Sequence, residues 1–398
     1  MQLSKSRSSL IYLLVFGLAI RLAVLFLYPD QHLPDVDVYI EAGKALFDTG
    51  ILGTEKYMAL YPIWAHITGG GLGLKIADIA LSTLTIALIY QVTLEIFENR
   101  GTAVLAGLFA AVYPHFVFYS VSRLSETPYV FLTCLAFILL YRQRFWLGCI
   151  VLVLSIHVRP SIDFLAPILI ISFAVLTHRL PKQETIGHVL KYVAVYLIFM
   201  APWWVHNYAK YDTFIRLNVG DGIVIYSGNN PMNRSGGGVA YGGPNDDMDL
   251  SIFNHIEDPV ERNDAMKKAA FDFIKENPGR FVELAGIKFV RFWRLWPYAP
   301  AYQKPLYIVA SLLSYGVILA LCLVGMGRAL KERWRQLVPI FLFSGYLLFV
   351  HMVTISSVRY RLPVEPFMIV IAAATARELL AKWGWTRQWV LDKIEQPD

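Results

Sequence analysis

Charge is the first thing this sequence is short of. Only 17% of its 398 residues are Asp, Glu, Lys or Arg, against roughly 25% in a soluble domain. That deficit excludes a disordered chain and argues against an ordinary soluble enzyme. Cysteine is also scarce: Cys134, Cys149 and Cys322 all sit in apolar stretches without CxxC spacing, so neither a disulfide framework nor a zinc module is expected. The glycine-rich stretch near residue 236 lacks GxxxxGK[ST], which excludes a nucleoside-triphosphate loop there. HExxH, GxSxG and a nucleophilic Cys/His arrangement are missing. So is the internal repeat of a transporter. What the chain has instead is apolar and aromatic mass: 56% hydrophobic residues and 14% aromatic, with a mean hydropathy of +0.48.

A membrane crossing takes roughly 20 apolar residues. Ten stretches qualify as candidates, at 10–28, 75–94, 101–119, 127–141, 145–158, 161–177, 189–205, 306–326, 337–354 and 363–381. The expectation is an all-α polytopic membrane protein with about ten transmembrane helices. The first span reads as a retained helix, because Arg21 lies inside it and no small-residue cleavage site follows. An even number of spans puts both termini on one side. That side then collects Lys5, Arg7, Arg142, Arg144, Arg179, Lys182, Arg328, Lys331, Arg333, Arg335, Lys382, Arg387 and Lys393, while the opposite short loops hold only Arg123, Arg159, Arg359 and Arg361. The termini are therefore expected in the cytoplasm. The net charge of +6 follows from that bias, and no basic patch with interleaved aromatics points to nucleic acid.

Three segments organise the chain: an N-terminal membrane module, 1–205; a long outer loop, 206–305; and C-terminal spans with a short tail, 306–398. Within the first, residues 29–74 form an outer loop with a charge balance of −4. Loops this long usually carry function. Pro34 and an aspartate, Asp35 or Asp37, predict a helix to about Phe47, ended by Gly50. Its apolar residues Val36, Tyr39, Ile40, Leu46 and Phe47 suit the outer leaflet. The aspartates read either as helix caps, worth about 1 kcal/mol each, or as functional acids.

Two more sites stand out. Glu126, in SETP, lies where one span ends and the next begins; a carboxylate there is costly unless paired or functional. The plain alternative is a first-turn residue behind a Ser125 cap. In SSVRYRLPVEP, Arg359 and Arg361 flank Tyr360 on the side that disfavours arginine. A guanidinium fork suits a phosphate, and snorkelling to lipid headgroups is the alternative. Arg159, in HVRPS, stands at the same level. In the second loop the stretch with glycines 236–238, 242 and 243 reads as a mobile lid or a plain linker. Beyond it, Asn277-Pro278 starts an interfacial helix. Phe281, Leu284, Phe289, Phe292, Trp293 and Trp296 are its anchors, with Lys288, Arg291 and Arg294 turned to solvent. Histidines 32, 66, 115, 157, 206 and 351 are scattered and read as structural hydrogen-bonders.

Taken in order, these pieces resemble the GT-C class of polytopic glycosyltransferases. The bacterial branch similar to protein O-mannosyltransferases and the lipid A aminoarabinose transferase fits best. The matching pieces are Asp35-x3-Tyr39 followed by A-x2-L, IYQVTLEIFENRGTAVLAGLFAAVYPHFVFYS at 89–120, SETP, PWWVHNY at 202–208, GNNP at 228–231 and RYRLPVEP at 359–366. The family's first motif often reads Asp-Glu where this chain has Asp35-Val36, and its second acid is often Asp where this chain has Glu126. The resemblance implies a GT-C fold with amphipathic helices in the outer loops, set in a bacterial cytoplasmic membrane with the site facing the periplasm or exterior. It implies an inverting transfer of a hexosyl or pentosyl unit from a polyprenyl-phosphate donor, such as undecaprenyl phosphate, to a lipid, glycan or protein hydroxyl. Asp35 would be the base, with Asp37 and Tyr39 beside it. Arg159, Arg359, Tyr360 and Arg361 would hold the donor. Glu126 would position the acceptor or, with Asp35, bind a divalent metal ion, since members of the class differ on metal use. A lipid or glycan transporter or flippase is the competing class.

Overall fold

The computed structural model describes residues 2–27, 33–237, 248–297 and 303–382, without the side chains of residues 2–7. His32, Gly238, Gly242, Gly243, Arg387 and Lys393 lie outside this set. The described residues are helical, with no strand among them. In chain order the helices are α1 (Gln2–Leu27), α2 (Pro34–Thr49), α3 (Leu60–Ile67), α4 (Leu72–Phe97), α5 (Arg100–Val112), α6 (Pro114–Val121), α7 (Glu126–Tyr141), α8 (Phe145–Val158), α9 (Ala166–Ser172), α10 (Lys182–Tyr211), α11 (Asp221–Gly228), α12 (Pro259–Glu276), α13 (Pro278–Trp293), α14 (Pro305–Ser311), α15 (Val317–Val353), α16 (Val358–Arg361) and α17 (Glu365–Lys382). Proline opens α2, α6, α12, α13 and α14, where its missing N–H costs nothing.

Four stretches among the described residues are long and apolar enough to cross a membrane: Ser8–Leu27, Leu72–Phe97, Lys182–Tyr211 and Pro305–Val353. The pair α5 and α6, bent by 48°, makes a fifth. The chain is a multi-pass membrane protein. Ten separate spans were expected, and the difference lies in length. Helix α7 has 16 residues and α8 has 14, about 24 and 21 Å at ~1.5 Å per residue against a hydrocarbon core of about 30 Å. Both are largely buried among other helices. Conversely, Pro305–Val353 is too long for one crossing. Arg333, at φ −132° and ψ 28°, leaves helical geometry between its two apolar halves.

The bend between α5 and α6 is stabilised from α1. Arg21 is fully buried and donates to Ser82 Oγ at 2.8 Å, to its own helix at Gly17 O (3.0 Å) and to Ala111 O at 3.2 Å. Pro114 cannot continue the hydrogen-bond ladder, so the carbonyls at the end of α5 need a donor, and the guanidinium supplies it.

One end of the bundle is basic. There Arg142 pairs with Glu95 at 2.7 Å and Arg333 with Glu98 at 2.7 Å. The opposite end carries α2, α3, the start of α7, the end of α8, α11 to α13 and α16. At that end the two long loops are joined: Val219 N donates to Glu55 O at 2.9 Å, and Lys210 Nζ to Thr54 O at 2.9 Å. Gly50, at φ 77°, closes α2 by donating to Leu46 O, a left-handed position that suits glycine.

Helix α2 differs from expectation in two ways. Its cap position is Leu33, with no side-chain cap; Asp35 and Asp37 lie in the first turn. Of its expected apolar face, Val36 and Tyr39 are buried in the protein together with Ala42 and Gly43, while Phe47 is exposed. Helix α13 departs more. It buries Leu284 and Phe292 together with Lys288, and exposes Val282, Phe289 and Val290. Residues 284, 288 and 292 share one face at a four-residue spacing, so the buried stripe carries its lysine inward. Cys134, Cys149 and Cys322 are all free and buried.

Candidate active site

Four charged side chains from four elements meet at the loop-bearing end. Asp35 stands in the first turn of α2, where the helix dipole favours a carboxylate. Glu126 is the first residue of α7, Arg159 follows the end of α8 on extended backbone, and Arg359 belongs to the short helix α16. Ser357 Oγ accepts from Arg359 N at 3.4 Å and starts that turn.

Arg359 is the hub. Its Nη1 donates to Asp35 Oδ2 at 2.6 Å, while its Nε and Nη2 both face Glu126, Nη2 at 3.3 Å from Oε2. Arg159 Nη2 lies 3.0 Å from Glu126 Oε1. The two carboxylates thus share two guanidiniums, with no net charge. Their exposure divides them: Glu126 is 0% exposed, Asp35 19%, Arg159 19% and Arg359 23%. Asp35 and the arginines can meet a ligand; Glu126 can touch only its neighbours. Burial pushes the Asp35 carboxyl upward, but the Arg359 guanidinium beside it, helped by the Tyr57 hydroxyl and Arg159, outweighs this. The carboxyl is held below the usual range and stays ionised.

Aromatic rings wall the cluster. Tyr57 donates to Asp35 Oδ1 at 2.8 Å, and its ring centroid lies 4.5 Å from that of Tyr39. Tyr39 is buried, shares a 3.1 Å hydrogen bond with Ser125 Oγ and meets Tyr61 edge-on at 4.7 Å. Tyr360 stacks on His351 at 4.3 Å, and the Arg159 guanidinium lies 5.9 Å from its ring.

Two residues expected here are elsewhere. Asp37 is exposed on α2, because residues two apart on a helix point about 200° away from each other. Arg361 is 0% exposed and turned from the cluster: it donates to Glu365 Oε1 at 2.7 Å and to the carbonyls of Phe292 and Arg294, with its guanidinium 3.5 Å from the Tyr315 ring centroid. His115 Nδ1 lies 3.1 Å from Glu365 Oε2. This second ionic group ties α16 and α17 to the end of α13.

Sequence reasoning missed Tyr57, which no motif marks, and Ser125, whose hydroxyl goes to Tyr39 and not to a cap. It also missed the order in residues 228–237. Asn229, Asn230 and Asn233 are buried there. Asn233 Nδ2 donates to Ser227 O at 2.6 Å and Ser356 N to Gly236 O at 3.0 Å. A Cβ on Gly228 would overlap the Thr354 carbonyl. The described part of this stretch is a folded brace against the chain leading to Arg359. The run of asparagines was the available signal, since their amides bond readily to nearby backbone. Lys288 Nζ donates to Asn229 Oδ1 at 3.0 Å, and burial lowers its pKa to about 7.

The divalent ion considered for Asp35 and Glu126 does not fit these residues. Arg359 already lies between the carboxylates, and among the described residues no group of three His, Cys, Asp or Glu converges as ligands. The described histidines are scattered: His157 meets Phe199 O, His206 accepts from Leu52 N, and His66 stacks on Phe47.

No protein-family model and no curated protein sequence matches the chain. Solved structures do. The chain is similar to the oligosaccharyltransferase AglB of the archaeon Archaeoglobus fulgidus, a GT-C membrane glycosyltransferase, solved with an inhibitory peptide and a dolichol-phosphate. The TM-score is 0.56 at 14% identity, over 96% of this chain and 51% of that one. The oligosaccharyltransferase of that organism in its apo form gives 0.55 at 13% identity, over 95% and 52%. The form tethered to an acceptor peptide gives 0.57 at 13% identity, over 95% and 50%. The chain therefore has a GT-C-like fold, and it spans about half the length of the structures it matches.

Proposed function

We propose that this chain is an inverting glycosyltransferase that moves a sugar from a polyprenyl-phosphate carrier to a hydroxyl of a lipid, glycan or protein, at the outer face of a bacterial cytoplasmic membrane. The observation that carries this reading is the junction of Asp35, Arg359, Glu126 and Arg159, half-open at the loop-bearing end of a GT-C-like fold. A lipid-linked donor needs no nucleotide-binding domain. Its phosphate would lie at headgroup depth, where a phosphodiester and the half-open guanidiniums suit each other.

The roles follow from exposure. Arg359 and Arg159 bind the phosphate and stabilise the charge that builds on it as the sugar leaves. Glu126, buried and bonded to both arginines, is a positioning residue that orients them. Asp35 is the accessible carboxylate and acts as general base. The acceptor oxygen attacks the anomeric carbon and its proton passes to Asp35. The new C–O bond forms as the bond from that carbon to the phosphate oxygen breaks, and the electron pair leaves on the lipid phosphate. A single displacement inverts the anomeric centre. A phosphate drawn to Arg359 also loosens that arginine's hold on Asp35, which makes the carboxylate a better base once the donor is bound.

Mass spectrometry of envelope glycolipids and glycoproteins, from cells with and without the chain, tests this reading. Loss of one sugar mass from one class is expected and names donor sugar and acceptor together. Unchanged envelopes overturn the reading. Reconstituted vesicles separate it from transport, since a transporter moves the labelled carrier without releasing free lipid phosphate.

A further inference from the structure

Asp35 is held by two partners of different character. Arg359 grips Oδ2 at 2.6 Å and Tyr57 donates to Oδ1 at 2.8 Å. An arriving phosphate competes for the first, because it is a cation. It competes far less for the second, because a phenol is neutral and offers a single donor.

Tyr57 is also anchored by contacts that involve neither Asp35 nor Arg359. It sits on the α2–α3 connection, which the second long loop and the end of α10 brace through five hydrogen bonds. Lys210 Nζ donates to Leu52 O at 2.8 Å and to Thr54 O at 2.9 Å. His206 Nε2 accepts from Leu52 N at 3.0 Å, Val219 N donates to Glu55 O at 2.9 Å, and the Asn218 amide bonds to Lys56 O. The Tyr57 ring rests against Tyr39, which is fixed in turn through Ser125.

We propose that Tyr57 is a positioning residue for Asp35, keeping the carboxylate aimed and ionised when an anionic ligand draws Arg359 away. The inference rests on the reading of this junction as a phosphate-binding transferase site. The charged and titratable groups around the carboxylate are Arg359 from α16, Arg159 after α8, Glu126 from α7, Tyr39 on α2 itself, and Tyr57. Once Arg359 is engaged elsewhere, Tyr57 is the remaining hydrogen-bond donor on Asp35 among the described residues.

The test uses a probe with one fixed charge, farnesyl methyl phosphate, bound to the purified full chain in detergent between pH 3 and 8. In the wild type, ionised Asp35 competes for Arg359, so affinity rises at the acid end as the carboxyl protonates. Asp35→Asn binds tightly and evenly at all pH values. Tyr57→Phe removes a donor that favours the ionised form, so the rise moves up by about one pH unit. A Tyr57→Phe profile that overlays the wild type, or falls by one factor at every pH, overturns the role, because lost packing alone gives that signature. If Arg359→Ala binds the probe as well as wild type, the transferase reading itself fails, whatever Tyr57→Phe does.

Discussion

Arg359 and Arg361 are two residues apart on one short helix, and they live in different worlds. Arg359 faces a half-open junction and divides its donors between Asp35 and Glu126, carboxylates that come from different helices. Arg361 faces inward, paired with Glu365 four residues ahead and with the carbonyls that end α13. The first arrangement is open to a ligand, because Arg359 and Asp35 are partly exposed and the guanidinium is shared. The second is not, because no ligand reaches it. The sealed pair ties α16 to α17 and to the end of α13, next to the open one. Residue type does not distinguish the two arginines; accessibility and the origin of their partners do.

The comparison is broken most directly at Asp35. Asp35→Asn should lower sugar transfer about 10²–10⁴-fold, the usual worth of a general base, while the chain stays folded in detergent with only a modestly lowered unfolding midpoint. Transfer near the wild-type rate would remove Asp35 from the chemistry. On the sealed side, Arg361→Ala leaves the buried Glu365 carboxylate with His115 as its remaining ionic partner and should destabilise the fold by up to roughly 3–5 kcal/mol, read as a lowered unfolding midpoint and poor yield. Normal stability would mean that the second group is not a lock. Arg359→Lys keeps the charge but loses the fork, so phosphodiester binding should weaken about tenfold, measured with the same soluble probe, while stability holds.

The pH response separates the regions further. The folded-state pKa of Asp35 is held below its unfolded value of about 3.9. Its contribution to stability is therefore complete above about pH 5 and is lost as pH falls through the lowered folded value. Acidification below about pH 4 should depress the unfolding midpoint of wild type more than that of Asp35→Asn; identical acid profiles would refute the assignment. The smallest effect belongs to Asp37→Asn, which should leave transfer within about twofold of wild type because its side chain is exposed on another face of α2.

The parts legible in sequence were those that depend on composition along the chain. Each apolar stretch is helical over most of its length; Glu126, Arg159 and Arg359 were singled out from their placement at the ends of such stretches, and Asp35 from the helix expected in the acidic outer loop. What could not be read was direction around a helix axis. RYR gives no sign that Arg359 and Arg361 diverge, because α16 has only four residues and no apolar period. The spacing Asp35–Asp37 hides the same divergence. Lys288 was placed toward solvent by its charge, yet it is buried where Asn229 and the Val353 carbonyl accept its protons; partners 59 and 65 residues away in sequence cannot be inferred from a helical wheel. Fewer than ten stretches among the described residues stand out as crossings by length and composition, for a related reason. Helices α7 and α8 are short and pack largely against protein.

The three buried thiols have a practical consequence. Cys134, Cys149 and Cys322 are wrapped by protein, so a bulky water-soluble maleimide should find little to react with on the native chain. A single cysteine introduced at exposed Asp37 or Glu283, and another at exposed Arg328, would then report its own side of the bilayer by labelling in intact cells. Sidedness can thus be mapped without first stripping the natural cysteines from the sequence.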